Sequence, residues 1–440
     1  MTTSAMTSQH LHARVARANA ARGLRARVVA PAGRSIATAR RSAIAVSAAR
    51  AETDDAASAP ASASSRRDVV LGGALALASS ALAATTPVAI ADEAPTTTET
   101  TTTTTRDRKS VVVTGSNSGI GLDGAAKLAA RGYDVTLACR TLAKAQAAKA
   151  SIEATAAANG VVLTGSLTPA ECDLASLDSI RAFAASRRAA PLDALVLNAG
   201  VEFSGDNTVR RTADGFEITV GVNHLGHFLL TNLLLPDLEA AASASPQSDG
   251  TTPRVVVTAS EVHDPASPGG NVGLGAGLGD LRGLAENGAA FEMLDGSPYD
   301  ADKAYKDSKL CNVLFARELQ RRLRDAGSVV TVNTFGPGLI TRTGLFRAQN
   351  PLFVKVFDFA TNEIFHVAET VDGGGDCLVR MVTDAELEGV GDVYYNNGIA
   401  PGEGKTGHKF ERGDVSAEAM DGEKGKALWA YSERLVGLSA

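Results

Sequence analysis

Residues 114–121 read Thr114-Gly115-Ser116-Asn117-Ser118-Gly119-Ile120-Gly121, and this glycine-rich stretch decides the fold. It follows a β-branched run at 110–114 that predicts a strand, and residues 120–131 continue with helical spacing. Glycines at a strand-to-helix turn let the backbone bend sharply and approach a pyrophosphate, to which the helix N-terminus offers N–H groups. Glycine also marks ordinary turns, but this position between a strand and a helix favours a nucleotide-binding loop.

The same alternation of strand and helix continues along the chain. Strands are predicted at 110–114, 134–139, within 161–173, and at 194–198, 254–259, 329–335 and 392–395. Helices are predicted at 120–131, 143–159, 177–187, 214–238 and 304–324. This order predicts βαβ units and an α/β fold, a Rossmann-like doubly wound parallel sheet with helices on both faces. Such sheets bind ligands at the carboxyl ends of their strands.

The first 91 residues have the composition of a targeting segment. Residues 1–51 contain nine Arg and no Lys, Asp or Glu, which is typical of an organelle transit peptide. Arg66-Arg67 then precedes an apolar run at 69–84 and a small-x-small site at 89–91, a layout typical of a secretory or twin-arginine signal. Transit peptide followed by such a signal is the layout of a thylakoid-targeted chloroplast protein. An uncleaved anchor, an apolar tail of the transit peptide and a plain disordered tail remain the alternatives.

Three parts are therefore expected along the chain. Residues 1–91 are predicted to be a chloroplast targeting presequence, and the Thr-rich residues 92–107 a linker that cannot bury a core. Residues 108–440 are predicted to form a single reductase domain. The first 91 residues hold eleven Arg and four acidic residues, so residues 92–440 carry a net charge of −13 within a chain of net −6. An acidic domain argues against nucleic acid as a partner.

The end of the second strand predicts which dinucleotide binds. Arg140 stands where an acid would bind the ribose 2′-hydroxyl of NAD, and Lys144 follows one turn later. The planar guanidinium of Arg140 can grip a 2′-phosphate, so NADPH is the expected cofactor. The alternative is that Arg140 is a solvated surface residue. Asp173-Leu174 is expected to border the adenine, and Asn198-Ala199-Gly200 to let the chain pass close to the cofactor.

Tyr305 and Lys309 are the predicted reacting pair. They are four positions apart in the sequence and so project from one face of a helix. An ordinary tyrosine has a pKa of about 10, and a nearby ammonium is expected to lower it. Alone, this spacing would more often mark an exposed tyrosine, but the glycine-rich loop upstream favours a catalytic pair.

Further polar residues are expected near this pair. Ser260 ends a predicted strand, where its hydroxyl can face the substrate, and Asn223 lies inside a long predicted helix that it can bend around a water. His224 and His227 are interpreted as packing or hydrogen-bonding residues, because no acidic or Cys ligands flank them. The four Cys show no C-x-x-C spacing, so no disulfide framework or metal site is expected.

Taken together, these motifs resemble the short-chain dehydrogenase/reductase family. The resemblance covers nearly all of 110–440 and implies that Pro337, Gly338 and Ile340 also contact the cofactor. A more specific resemblance is to the light-dependent protochlorophyllide reductase branch of that family. It is carried by 304–312, 223–228, 278–284, 293–296, 344–347 and 432–438.

This branch implies a particular reaction. NADPH reduces the C17=C18 double bond of a light-excited tetrapyrrole, and the proton comes from Tyr305 or through Cys311. For Cys311 the alternative is a packed thiol. The competing hypotheses are a dark-active NADPH-dependent carbonyl reductase of the same family and a non-catalytic NADPH- or pigment-binding protein.

The chain departs from the branch at several positions. Glu202 stands near a usual aromatic residue, Gly200 replaces a usual alanine, and Arg342 replaces a usual threonine. Glu202 and Arg342 are expected near the pocket, where they bear on pigment specificity. A chloroplast location on the stromal side of the thylakoid or envelope membranes is expected from the need for NADPH, against the lumen that the twin arginine indicates. The sequence leaves peripheral membrane association and a homo-oligomeric state open.

Overall fold

The computed structural model describes residues 108–187, 190–244, 251–341, 355, 358–359, 361, 368–399 and 407–438. The predicted presequence 1–91 and linker 92–107 lie outside the described residues, as does Arg342. The fold described below is therefore that of the predicted reductase domain.

One mixed sheet organises the described residues. Its strands are β1 Ser110–Thr114, β2 Asp134–Cys139, β3 Ser166–Glu171, β4 Ala194–Leu197, β5 Arg254–Thr258, β6 Thr331–Gly336, β7 Tyr394–Ile399 and β8 His408–Gly413. Their order is β3-β2-β1-β4-β5-β6-β7-β8, and the pairs are parallel up to β7. β8 pairs antiparallel with β7. The predicted doubly wound α/β fold is confirmed, because the sheet carries helices on both faces.

The helices divide between the two faces. They are α1 Gly119–Ala130, α2 Leu142–Ala158, α3 Leu177–Ser186, α4 Ile218–Ala244, α5 Arg282–Asn287, α6 Ala301–Asp325, α7 Val371–Thr383 and α8 Gly422–Leu435. α1, α2 and α7 pack with one face of the sheet in one apolar cluster. α3, α4, α6 and α8 contribute to the cluster on the other face, which also takes in buried residues of 276–294. The valine-rich β1 and β5 read as continuous apolar runs because both faces are covered.

α4 is interrupted by a wider turn at Gly221–Gly226, which has π-helical hydrogen bonding. Such turns insert one residue into a helix and are frequent at functional sites. The whole span Ile218–Ala244 is long and apolar enough to cross a membrane by composition, but 78% of its most apolar window is buried in the protein. We therefore describe α4 as a core helix.

The topology fixes where a ligand can bind. β1 lies between β2 and β4, so the connections leaving β1 and β4 run to opposite faces of the sheet. In sheets of this type a crevice opens at that point, beyond the carboxyl ends of the strands. The glycine-rich loop after β1 and the Asn198 segment after β4 both lie there.

Candidate active site

A cavity of about 840 Å³ opens at the carboxyl ends of the strands. This volume is near the top of the ~300–1,000 Å³ range of small-molecule and cofactor sites. Most of the residues predicted from sequence line it: Gly115, Asn117, Ser118, Gly119, Ile120, Gly121, Arg140, Lys144, Asp173, Leu174, Asn198, Ala199, Gly200, Ser260, Tyr305, Lys309, Pro337, Gly338 and Ile340. Ser116, Asn223 and Cys311 do not line it, because each side chain is directed elsewhere in the fold.

The glycine-rich loop passes close to the segment after β4. Gly115 has φ +67°, and a Cβ there would lie 2.8 Å from the Cα of Ala199. A Cβ at Gly121 would collide with the Asn198 amide and would lie 2.8 Å from the Gly115 carbonyl oxygen. These two glycines therefore allow two backbone segments to form one floor beneath the cavity.

Thr114 ties that floor to α4. Its hydroxyl oxygen accepts hydrogen bonds from the backbone N–H groups of Asn198 (2.9 Å) and Ala199 (3.0 Å). His227 Nδ1 lies 3.1 Å from the Asn223 carbonyl, which can only accept, so Nε2 is the acceptor for the Thr114 hydroxyl at 2.9 Å. Burial lowers the pKa of His227 to about 4, which is consistent with this neutral form. The interpretation of His227 as a hydrogen-bonding residue fits this placement.

Two buried acceptors suit a polar ligand. Asn198 donates through Nδ2 to the Thr114 carbonyl at 2.9 Å, while its Oδ1 has no hydrogen-bond partner among the described residues. Thr258 Oγ1 is also buried without a partner in the part of the chain described. Both residues line the cavity. Buried polar atoms are normally hydrogen-bonded, so these fit a ligand that brings hydroxyl or amide groups, such as a dinucleotide.

The other end of the floor is basic. Arg140 and Lys144 are exposed on the cavity wall just after β2. Ser116, predicted to bind the cofactor, is instead fully buried, and its hydroxyl lies 3.6 Å from Cys139 Sγ. The loop turns the Ser116 side chain toward β2, so its predicted contact with the cofactor, which the backbone N–H can make, stays a prediction.

Tyr305 and Lys309 lie on the first turns of α6. Asp300 caps this helix by accepting from the Lys303 N–H at 2.7 Å. Lys309 Nζ donates to the Thr258 carbonyl at 3.2 Å and lies 5.4 Å from the centre of the Tyr305 ring. Burial lowers the pKa of Lys309 to about 8. Burial and the nearby Glu202 raise the pKa of Tyr305, so the expected lowering by Lys309 is not what this arrangement produces.

Asn223 acts on the backbone rather than facing the cavity. Its Oδ1 accepts from the Val201 N–H at 2.8 Å, and its Nδ2 donates to the Val201 carbonyl and to Ser308 Oγ, both at 3.0 Å. Ser308 in turn donates to the Tyr305 carbonyl at 2.6 Å. Asn223 therefore joins the loop after β4 to α6 at Ser308. This is a positioning contact, and the catalytic role predicted for Asn223 stays a prediction.

Cys311 faces away from the cavity. It follows Tyr305 by six residues, and at ~100° per residue it lies on a different side of α6. The side chain is fully buried in the apolar cluster, and burial raises the pKa of its thiol. The geometry therefore gives the predicted proton-supplying role of Cys311 no support, and it describes a packed thiol.

Ser260 and His224 also have defined partners. Ser260 lines the cavity and caps the short turn Glu261–His263, accepting from the Val262 N–H at 3.4 Å. The Ser260 hydroxyl can therefore donate its hydrogen to an acceptor in the cavity. His224 Nε2 lies 2.8 Å from Ser432 Oγ, among the rings of Phe228 and Phe315. His224 is a core residue, in line with the packing interpretation.

The end of the cavity around Tyr305, named the substrate end below, carries acidic groups. Glu202, expected near the pocket, lines it, as do Glu261 and Asp302. Burial raises the pKa of Glu202 to about 7, and Asp302 adds to this, while Ser204 and Lys309 oppose it. Asp302 was not predicted as a site residue, because nothing in its local pattern separates it from an ordinary first-turn acid of a helix.

Lysines of α6 hold the segment that forms one wall. Lys306 Nζ donates to the carbonyls of Gly270 (3.3 Å), Leu274 (2.9 Å) and Val272. Lys303 Nζ binds the Gly277 carbonyl at 2.7 Å and the carboxylate of Asp307 at 2.6 Å. Val272 and Gly273 line the cavity.

A companion contact completes this wall. Asp307 Oδ1 accepts from the Gly277 N–H at 2.9 Å, so both the N–H and the carbonyl of that residue are held by α6. The anchoring lysines and Asp307 were missed because their partners are backbone carbonyls and N–H groups about 30 residues away, which no local pattern shows.

Comparisons with known proteins agree with this geometry. Residues 109–270 match the family described as short chain dehydrogenase. The chain is 41% identical over 341 residues to protochlorophyllide reductase A, chloroplastic, of Oryza sativa subsp. japonica, covering 74% of this chain and 80% of that protein. It is 40% identical to the protochlorophyllide reductase, chloroplastic, of Pisum sativum, covering 75% and 78% respectively.

A solved structure is also similar. It is that of an uncharacterized protein from Mycobacterium paratuberculosis, 31% identical, with a TM-score of 0.51 over 75% of this chain and 93% of that one. The similarity thus extends from the glycine-rich loop through most of the reductase domain.

Proposed function

This chain belongs to the short-chain dehydrogenase/reductase family, and we propose that it performs the light-driven, NADPH-dependent reduction of protochlorophyllide to chlorophyllide. Membership makes it an oxidoreductase that works with a nicotinamide cofactor. The substrate, the light dependence and the choice of NADPH are the proposal. The reaction would reduce the C17=C18 double bond of the pigment.

The docking of 270–277 on α6 is the observation that carries the substrate assignment. This part of the chain comes directly before 278–284, one of the stretches that resemble protochlorophyllide reductases. Lys303, Lys306 and Asp307 fix it to the same helix turns that carry the reacting pair. Val272 and Gly273 line the pocket, and Asp295 of the resembling stretch 293–296 pairs with Lys303 at 3.1 Å, so the resembling stretches are fixed to the helix that carries Tyr305, where they can bear on substrate choice.

The basic end of the cavity supports NADPH over NADH. Arg140 and Lys144 line it where an acid would contact a 2′-hydroxyl. Glu171, which ends β3 next to β2, accepts from the Leu142 N–H at 3.0 Å and does not line the cavity. A 2′-phosphate would meet two cations there, and the N–H groups at the start of α1 would meet the pyrophosphate.

The residues around Tyr305 have different roles in the proposed reaction. When bound, NADPH supplies the hydride. Tyr305 keeps its proton at neutral pH because its pKa is raised, so it is the acid that protonates C18. Lys309, held by the Thr258 carbonyl, orients the cofactor ribose and keeps positive charge beside the phenol. Asn223 holds the loop that faces them.

Illumination of the purified mature protein tests this proposal. With NADPH and protochlorophyllide, we expect chlorophyllide absorbance to appear in light and not in darkness. No product in light, together with NADPH-dependent reduction of carbonyl compounds in darkness, would favour the dark-active carbonyl reductase instead. If Tyr305→Phe left every activity and ligand affinity unchanged, a non-catalytic binding protein would be favoured.

We also propose a chloroplast location, on the stromal side of the membranes. The support is the Arg-rich N-terminus, the chloroplastic relatives and the need for NADPH. A fluorescent fusion should stay accessible to protease on isolated thylakoids. Full protection of the fusion would place it in the lumen, as the twin arginine indicates.

A further inference from the structure

Glu202 is held at the reacting centre by a chain of contacts. Asn223 binds both the N–H and the carbonyl of Val201, the residue directly before it. Ser204 donates a hydrogen bond to its carboxylate. The side chain lines the same cavity as Tyr305 and Lys309 and is partly buried. An acid is thus fixed in the pocket by two neighbouring backbone and side-chain constraints.

The surroundings of Glu202 favour a carboxyl group that gains and loses a proton near neutrality. Burial raises its pKa to about 7, Asp302 raises it further, and Lys309 and Ser204 act in the opposite direction. The other titratable and charged residues of the cavity are Glu261, Asp302, Tyr305, Lys306 and Lys309 near Glu202, and Arg140, Lys144, Cys172 and Asp173 at the cofactor end. Among them Lys306 is occupied by loop carbonyls and Lys309 by the Thr258 carbonyl.

The reaction leaves a proton deficit at Tyr305. When the phenol protonates carbon it becomes a phenolate, enclosed beside Glu202 and Lys309. A new turnover requires that this proton be replaced. Lys309 is held by the Thr258 carbonyl at 3.2 Å, so the Glu202 carboxyl, whose pKa burial raises, is the neighbouring group of the cavity that is placed to supply it.

We propose that Glu202 is a further catalytic residue that returns a proton to Tyr305 after each turnover, an inference that rests on the proposed function. The balance is simple. The O–H bond of the Glu202 carboxylic acid breaks, an O–H bond forms on the Tyr305 phenolate, and Glu202 becomes a carboxylate. Solvent at the cavity mouth, next to the exposed Asp302, then restores its proton, and no electrons are transferred in these steps.

The protonation of Glu202 can be measured without any substrate. Infrared difference spectra between wild type and Glu202→Gln should contain the carbonyl band of a carboxylic acid that disappears as the pH rises through about 7. Asp302→Asn is the matched control, because it removes an exposed acid of the same cavity. It should keep the band and move its titration to lower pH, since Asp302 raises the pKa of Glu202. Absence of the band from the wild-type spectrum at pH 5 to 6 would overturn the proposal.

Paired light flashes test the transfer itself. One flash starts one turnover, so the yield of a second flash after a varied dark interval reports how fast the site is restored. Glu202→Gln should keep the first-flash yield, because Tyr305 starts protonated, and should slow recovery by ~10²-fold or more, within the range of general acid catalysis. Glu286→Gln, at an exposed acid outside the cavity, should recover at the wild-type rate.

Two flash outcomes would overturn the role. Recovery of Glu202→Gln at the wild-type rate would mean that Lys309 or solvent supplies the proton. Loss of the first-flash yield with normal NADPH affinity would make Glu202 a substrate-positioning residue. If wild type forms no product after any flash, the proposed function fails, and the infrared titration still decides whether Glu202 holds a proton.

Discussion

The two ends of the cavity are built in different ways. At the cofactor end, the backbones around Gly115 and Ala199 form the floor, joined by Thr114. At the substrate end, side chains such as Lys306 reach across some thirty residues of sequence to hold a loop. A site made from one turn of backbone leaves a local sequence motif, whereas a site made by distant side chains leaves none.

The two ends also respond to pH in opposite directions. At the cofactor end, burial lowers the pKa of His227 to about 4, so the folded state resists protonation there. At the substrate end, burial raises the pKa of Glu202 to about 7, so the folded state favours protonation. As the pH falls below 7, protonation of His227 is therefore unfavourable in the folded state, whereas protonation of Glu202 is favoured.

The largest expected effect separates chemistry from binding. Tyr305→Phe removes the acid but keeps the ring in place, so single-turnover reduction should fall by ~10²–10⁴-fold. NADPH affinity, measured by fluorescence titration, should stay within about twofold because the floor is untouched. A parallel loss of NADPH affinity would contradict the separation of the two ends.

A pair of glycines tests the backbone floor. Gly115→Ala puts a Cβ 2.8 Å from the Ala199 Cα, whereas Gly160, with a similar φ of +66°, has nothing within 4 Å. Both changes carry the left-handed backbone cost of ~1–2 kcal/mol, but only the first also disturbs the cavity. We expect NADPH affinity to fall by ~10-fold or more in Gly115→Ala alone, since ~1.4 kcal/mol corresponds to tenfold. Equal affinities in isothermal titration would show that the close approach is unimportant.

Arg140→Ala should change which dinucleotide is preferred. A charged hydrogen-bonding group contributes about 1.5–3 kcal/mol, so the affinity for NADPH should fall by about tenfold or more and that for NADH should not. Exposed Arg131, on the turn after α1 and outside the cavity, provides the control variant Arg131→Ala. An equal loss for both dinucleotides would mean that Arg140 acts on the fold rather than on the 2′-phosphate.

Lys306→Met tests the side-chain-built wall. Removing the ammonium frees the carbonyls of Gly270, Val272 and Leu274, so the substrate KM should rise by about tenfold, from the ~1.5–3 kcal/mol of bonds to a charge. The single-turnover rate at saturating substrate should change less, and NADPH affinity should not change. Lys306→Arg, which keeps the charge, should recover part of the KM. A kcat loss without a KM change would contradict a wall function.

The smallest effect concerns stability in acid. His227 has a folded-state pKa of about 4, below the unfolded value of 6.5, so its contribution is complete above pH 6.5 and is lost as the pH falls toward 4. The free energy of unfolding in urea should fall by about 1 kcal/mol from pH 7 to 5.5 through this residue. His227→Gln should reduce that loss, and an identical pH dependence in the variant would show that the pKa of His227 does not change on folding.

Several parts of the fold were predicted because local pattern and burial agree. The bounds of β1 and β2 match the predictions, since their β-branched runs are buried on both faces. α7 was not predicted, because three consecutive glycines, 373–375, give it a low helix propensity. α7 forms by packing on α1, where a Cβ at Gly374 would meet Ile120. β8 was missed because its polar sequence, paired only with β7, lacks the alternation of a half-buried strand.

The site followed the same division. Glycines, Arg140 and the Tyr305–Lys309 spacing were readable, because each acts through its own position in a local motif. The side chains of Ser116 and Cys311 point away from the cavity, which the sequence could not predict, because the direction of a side chain depends on how a loop turns or which side of a buried helix it occupies. Sequence spacing alone does not fix either.

Adjacent residues on α6 serve both parts of the substrate end, since Tyr305 lines the reacting centre and Lys306 holds the wall. For protein engineering, 270–277 is therefore a segment that can be replaced, provided that the new segment keeps the hydrogen bonds to Lys303, Lys306 and Asp307. A replacement that presents its carbonyls to these side chains would alter substrate choice while leaving the proposed proton donor in place. A replacement that does not would disturb the same helical turn and displace the Tyr305 phenol.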